Sequence, residues 1–149
     1  MSDARSDPHP FAVHEDWLAV PGAAGDTHAL NLLRVALIRL ADEADPPGAV
    51  VSFSAGQAPR QLALAPADPA GLRAALARRG WPRVQGERGV RYLNPWNIAA
   101  IHRYREGGRE KAGVFTTAGV VFVDDEASLV ALRRLEADRL GPAVRDAER

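Results

Sequence analysis

Two stretches of this 149-residue chain nearly repeat each other at a constant spacing of 63 positions. Residues 30–56 align without a gap on residues 93–119, and nine of the aligned pairs are identical. The identities include Asn31/Asn94 near the start and Gly56/Gly119 at the end. About three identities would be expected from composition alone. The chain therefore reads as two diverged copies of one unit.

Each copy has the same order of local signals. An apolar stretch is followed by turn-forming residues, Pro-Pro-Gly at 46–48 in the first copy and Gly-Gly at 107–108 in the second. A β-rich run comes next, AVVSFSAG or AGVFTTAG, and a second β-rich run returns along it. With WLAV (17–20) or VRYL (90–93) at its start, each copy is predicted to be a strand–strand–strand–helix unit.

The helices at the ends of the two units carry start and stop signals. Asp68-Pro69 places an N-cap acceptor before a proline at the first helical position, and Asp125-Glu126 gives a cap with an acidic first turn. The first helix should stop at Gly80, since glycine commonly ends a helix. The second should end near Gly141-Pro142.

One such unit is too small to bury a core of its own. We therefore expect an α+β fold in which the two strand–strand–strand–helix repeats pack as one domain about a pseudo-two-fold axis. The predicted boundaries are a flexible N-terminal tail at 1–12, a first repeat at 13–80, a linker at 81–91, a second repeat at 92–141 and a C-terminal tail at 142–149.

The second repeat has a recognisable pattern of a Leu-Asn-Pro start, two isoleucines three apart, a glycine between β-rich runs, an acidic end and a short helix. The residues that carry it are Leu93, Asn94, Pro95, Ile98, Ile101, Gly119, Asp124 and Leu129. Residues 92–135 resemble the small β-rich module of FlbD-like regulators and, more distantly, LytTR-type DNA-binding domains. The resemblance implies a regulatory or binding role without catalysis. The first repeat departs from it, with Leu32 where the second has Pro95.

Residues suited to catalysis or metal binding do not form any known motif. The chain has no cysteine, and its four histidines, His9, His14, His28 and His102, lack the spacing of metal ligands. No nucleophile elbow or phosphate loop is present, and the acids at 124–126 are explained by the helix cap. We expect no catalytic, cofactor-binding or metal residue. An enzyme with an unrecognised site is the third hypothesis.

Neither a signal peptide nor a membrane span is apparent. The N-terminal MSDARSDPHP is polar, and no apolar run approaches the roughly 20 residues that cross a bilayer. We therefore expect a cytoplasmic protein without membrane contact.

The net charge of zero hides an uneven distribution. Residues 1–72 carry a balance of −5, residues 73–111 of +7 and residues 112–149 of −2. The basic, aromatic-containing segment 78–111 makes nucleic-acid binding the second hypothesis, because cations neutralise phosphates and aromatic rings stack on bases. The candidate binding residues are Arg91, Trp96, His102, Arg103, Tyr104, Arg105, Arg109 and Lys111.

Two features of this segment weigh against nucleic acid. If 99–105 is a strand, His102 and Tyr104 share one face while Arg103 and Arg105 share the other. The alternative interpretation places Trp96 in the core, since its aligned partner is Leu33. We therefore predict a non-enzymatic binding or regulatory protein whose partner is another protein or itself. Exposed sheet edges favour a homodimer. The sequence gives no prediction for a small-molecule ligand.

Overall fold

The computed structural model describes residues 13–14, 17–40, 48–55, 58–86 and 89–140. The fold is α+β and mostly strand. The strands are β1 (Val13–His14), β2 (Trp17–Pro21), β3 (Thr27–Asn31), β4 (Val35–Leu40), β5 (Ala49–Ala55), β6 (Ala58–Leu64), β7 (Arg83–Gly86), β8 (Gly89–Leu93), β9 (Ile98–Glu106), β10 (Arg109–Thr116) and β11 (Gly119–Val123). The helices are α1 (Pro69–Arg78) and α2 (Glu126–Leu140), and a short 3-10 helix spans Pro95–Asn97.

The strands form three antiparallel sheets. β1, β2 and β3 make the first, and β9, β10 and β11 make the third. The second sheet has the order β6-β5-β4-β8-β7, so it combines strands from both parts of the chain. No helix in the described ranges is both long and apolar enough to cross a bilayer.

The buried hydrophobic residues form two clusters. Alternate residues of β4 and β8 belong to one cluster or to the other. Ile38 and Tyr92 belong to the cluster that contains β2, β3 and α1. Leu37 and Leu93 belong to the cluster that contains α2 and the inner positions of β10 and β11. Since neighbouring residues of a strand point to opposite faces, the central sheet has a core on each side.

The helix starts are where the sequence predicts them. The carboxylate of Asp68 accepts the N–H of Gly71 at 2.9 Å, and that of Asp125 accepts the N–H of Ser128 at 3.0 Å. α1 ends before Gly80, whose φ of 79° suits glycine. The local signals of the caps therefore determined both starts and the end of α1.

Each half has more strands than the predicted three. Six strands, β1 to β6, precede α1, and five, β7 to β11, lie between α1 and α2. β3 and β7 were missed because THALN and RVQG are short and contain few apolar residues. The segment 81–91, predicted as a linker, contains β7 and part of β8. The predicted tails at 1–12 and 142–149 lie outside the described residues.

The two halves are joined by the pairing of β4 with β8. Leu37 lies opposite Leu93, and Leu40 lies opposite Val90. A two-fold exchange of the halves would also pair β9 with β3. Within the described part of the chain, β3 and β9 instead each stand at the end of a sheet.

The expectation that Trp96 is buried is wrong. Trp96 is 74% exposed, and its aligned partner Leu33 is 54% exposed, whereas Trp81 is buried. The reason is local: Oδ1 of Asn94 accepts the N–H of Trp96 at 3.1 Å, and Asn31 accepts that of Leu33 at the same distance. Both asparagines thus form the predicted turn, and the residue two positions later lies on the outside of it.

Candidate functional site

The sheet of β9, β10 and β11 has one packed face and one exposed face. Ala112, Val114, Val121 and Val123 are buried in the cluster with α2. The alternate positions form what we call the outer face. Its members are Ala100, His102, Tyr104, Lys111, Gly113, Phe115, Val120 and Phe122.

The outer face is apolar and open at its centre. Phe115, Val120 and Phe122 are 41%, 42% and 52% exposed. Gly113 lies between His102 on β9 and Phe122 on β11. A Cβ at Gly113 would lie 3.4 Å from Cε1 of Phe122 and 3.7 Å from Cε2 of Phe115, so the two rings lean over the glycine.

One end of the outer face is acidic. Lys111 Nζ donates to Glu106 Oε1 at 2.8 Å. This hydrogen bond, together with the attraction of the opposite charges, lowers the pKa of Glu106 and raises the pKa of Lys111. Both residues line a cavity of about 300 Å³, which Asp124 and Asp125 also border.

Three of the predicted binding residues belong to the outer face: His102, Tyr104 and Lys111. The ring centroids of His102 and Tyr104 are 5.3 Å apart. Lys111 lies directly opposite Tyr104 on the neighbouring strand. The fold thus brings these three together on one surface.

The predicted arginines of β9 and β10 do not join them. Arg103 reaches Glu136 of α2 at 3.4 Å, on the packed side of the sheet. Arg105 donates to the carbonyl of Gly108 at 3.1 Å, and Arg109 stands at the hairpin opposite Glu106.

Arg91 and Trp96 lie elsewhere in the fold. Arg91 is in the central sheet, opposite Arg39 on one side and Val84 on the other. The guanidinium of Arg139 lies over the ring of Trp96, with its Cζ 5.2 Å from the ring centroid. Trp96 and Arg139 line a second cavity of about 360 Å³, which Leu33 and Trp81 also border.

Sequence reasoning missed Phe115, Val120 and Phe122. The available signal was in β11, whose sequence GVVFV is apolar at every position after the glycine. Alternation then places an apolar side chain on each face, and only one face can pack against α2. A strand of this kind at a sheet edge indicates an apolar surface that is left open.

The described residues contain no group of three or more His, Asp or Glu side chains that could hold a metal ion. Comparison of the chain with protein-family models, curated proteins and solved structures finds no match in any of the three.

Proposed function

We propose that the chain is a non-enzymatic binding protein of the regulatory kind, and that its outer face binds a protein partner. One observation carries the proposal: Phe115, Val120 and Phe122 stand exposed together around Gly113. Contiguous apolar surface of this kind is typical of protein interaction sites, where aromatic residues are enriched. The resemblance of residues 92–135 to regulatory modules implies the same class of function.

We further propose that the two halves are diverged copies related head to tail. The matching turns at Asn31 and Asn94 and the matching element order support this. The aligned positions then serve as an internal comparison for the outer face. Ser52 in the first half corresponds to Phe115, and Arg39 corresponds to His102. The second half has therefore acquired aromatic residues where the first has polar ones.

The charges favour a protein over a nucleic acid. Nucleic-acid affinity depends on cations free to neutralise phosphates. Lys111, the cation of the outer face, is paired with Glu106 at 2.8 Å, and the adjoining cavity adds Asp124 and Asp125. Arg103 is held by Glu136 on the opposite side of the sheet. A phosphate backbone laid on this face would meet carboxylates.

Photo-crosslinking tests the proposal. A benzoylphenylalanine at position 122 places the probe within the outer face. The same probe at position 62, a leucine of β6 that is 38% exposed, is the matched control. After irradiation in the source cells, we expect the probe at 122 to form a covalent adduct with a protein and the probe at 62 to form none. Phe115→Ser should reduce that adduct, because it removes apolar surface beside the probe.

The competing hypothesis is tested with nucleic-acid probes. An oligo-dT strand and a random duplex, measured by fluorescence anisotropy at about 50 mM salt, should show no binding. Binding that weakens steeply with salt and falls on Tyr104→Ala would replace the protein-binding proposal. Equal adducts at positions 62 and 122 would also contradict it.

A further inference from the structure

The pairing of β4 with β8 shows how one half of this molecule accepts a strand from the other. β4 forms an edge of the first half's own β4–β5–β6 meander, and β8 completes that edge in antiparallel register. The contact is head to tail, because β8 belongs to the hairpin that begins the second half. Each half thus has a strand that can be added and an edge that can receive one.

The counterparts of β4 and β8 in the opposite halves, β9 and β3, do not pair with each other in the described structure. β9 begins at Ile98, 63 positions after the start of β4, and β3 ends at Asn31, which aligns with Asn94 directly after β8. Within the described ranges, β9 and β3 each pair on one side alone. By this correspondence, β9 is an acceptor edge and β3 a donor edge that the described part of the chain leaves free.

Side chains beside the paired edge β4 are more buried than the aligned side chains beside the free edge β9. Leu37 and Ser52, which lie on the side of the first half that meets the second, are each 7% exposed. Their aligned partners are Ala100, which is exposed, and Phe115, which is 41% exposed. The residues that an added half covers in the first copy are uncovered in the second.

The two asparagine turns also differ in their hydrogen bonds. The amide nitrogen of Asn94 donates across the junction to the carbonyls of Leu32 at 2.6 Å and Val35 at 2.8 Å, and its backbone N–H donates to Ala36 at 3.0 Å. Asn31 forms the same turn, but its amide nitrogen has no partner among the described residues. In a matching contact, Asn31 would donate to the carbonyls of Pro95 and Ile98.

We propose that β3 of one molecule pairs with β9 of a second copy of this chain, repeating the β4–β8 contact between molecules. The inference rests on the proposed function, since it names the protein partner. Transfer of the β4–β8 register by 63 positions gives the paired residues. They are Ala100 with Leu30, Ile101 with Ala29, His102 with His28, and Arg103 with Thr27. The second copy then also covers the part of the outer face around Ala100 and Phe115.

Cysteine crosslinking reads the register directly, because the natural chain has no cysteine. We expect a disulfide when His28→Cys and His102→Cys proteins are mixed and oxidised. Tyr104→Cys is the matched control, since it lies on the same face of β9 two residues further along. Two residues are about 7 Å along a strand, which puts residues 28 and 104 beyond disulfide reach. Equal crosslinking of both mixtures would overturn the register.

A second variant tests the hydrogen bonds of the edge. The N–H of Leu93 donates to Pro82 and that of Asn94 to Ala36, so alternate N–H groups of β8 point to β4, including that of Tyr92. Ala29, the aligned residue, directs its N–H to the free edge of β3. Ala29→Pro should weaken self-association about tenfold by removing one donor. Circular dichroism checks that the variant is folded.

Light scattering from about 1 μM to about 1 mM measures the association itself. The expected mass rises from the 16.0 kDa of one chain to that of a dimer or a longer head-to-tail assembly, since each added copy brings one β3 and one β9. A constant mass of 16.0 kDa without the crosslink overturns this inference. So does a dimer that neither crosslinks nor responds to Ala29→Pro.

The photo-crosslinking experiment separates this inference from the proposed function. A monomer whose probe at 122 captures a different protein retains the proposed function and loses this inference. A monomer whose probe captures nothing loses both. An adduct between two copies of the chain, together with the His28–His102 crosslink, supports both.

Discussion

Leu33 and Trp96 each lie in a turn formed by an asparagine, and the two side chains border the same cavity. Each donates its N–H at 3.1 Å to the asparagine two residues before it, and each is more than half exposed. The two turns therefore meet where β4 pairs with β8. The two aligned segments share the geometry of the turn, but the side chain that follows the asparagine by two residues differs in size.

The first prediction concerns Asn94 at this junction. Asn94 is 1% exposed, and Asn94→Ala removes its donors to the buried carbonyls of Leu32 and Val35. We expect the free energy of unfolding to fall by about 2–3 kcal/mol, because a carbonyl loses its partner in the interior. The Val35 carbonyl retains the amide of Asn97 at 2.6 Å, which limits the loss. Urea unfolding monitored by tryptophan fluorescence gives the value.

Asn31→Ala is the control for that measurement. It removes a turn acceptor without the donors across the junction, so we expect a loss of about 1 kcal/mol. Equal losses for the two variants would show that the junction hydrogen bonds of Asn94 contribute nothing beyond the turn.

The second prediction concerns Ser128, which connects α2 to the central sheet. Its Oγ accepts the N–H of Gln85 at 2.7 Å, and the residue is 2% exposed. Ser128→Ala leaves that N–H without an acceptor at the edge strand β7, and we expect a loss of about 1–3 kcal/mol in thermal or urea unfolding. Ser52→Ala removes a hydroxyl at a 7% exposed position without a described partner. Its loss should be smaller, and a larger one would refute the role of the Gln85 contact.

Local signals account for the parts of the fold that the sequence predicts correctly. Asp68 and Asp125 cap their helices, and the two asparagines form their turns, because each interaction joins residues at most three positions apart. The pairing of β4 with β8 joins residues fifty or more positions apart, and no pattern in either strand identifies its partner. Short polar strands such as β7 form because the neighbouring strand supplies hydrogen bonds, which hydrophobic periodicity does not report.

The site was predictable to a similar extent. Strand alternation correctly put His102 and Tyr104 on the face opposite Arg103. It did not indicate whether that face is covered, since burial depends on where α2 packs. Phe122 was overlooked because an apolar residue in a strand is ordinarily assigned to the core.

The third prediction compares two residues of α2. Leu132 is fully buried in the cluster of the second half, whereas Val130, two positions earlier, is 41% exposed. Leu132→Ala should lower the free energy of unfolding by about 2–5 kcal/mol through lost burial and the cavity that remains. Val130→Ala should change it by less than about 0.5 kcal/mol, since alanine is a better helix former. Chemical denaturation measures both, and a similar cost at the two positions would place the packed face of α2 elsewhere.

The fourth prediction concerns the pH dependence of the acidic end of the outer face. The hydrogen bond and charge of Lys111 lower the pKa of Glu106, and Glu106 in turn raises the pKa of Lys111. Lys111→Met should therefore raise the pKa of Glu106 toward its ordinary value. Carbon-detected NMR titration of the Glu106 carboxyl measures the change. Arg133→Met, which removes a cation paired with Glu110, is the control and should leave the titration of Glu106 unchanged.

The sign of the stability effect follows from the direction of each shift. Because the pKa of Glu106 is lower in the folded protein, its contribution is present above the ordinary glutamate pKa and is lost as pH falls through the lowered value. Because the pKa of Lys111 is raised, its contribution is present below the ordinary lysine pKa and is lost as pH rises through the raised value. The pair is exposed to solvent, so added salt should reduce both shifts. A Glu106 titration that is the same with and without Lys111 would show that the pair does not form in solution, and the outer face would then have a free cation for an anionic partner.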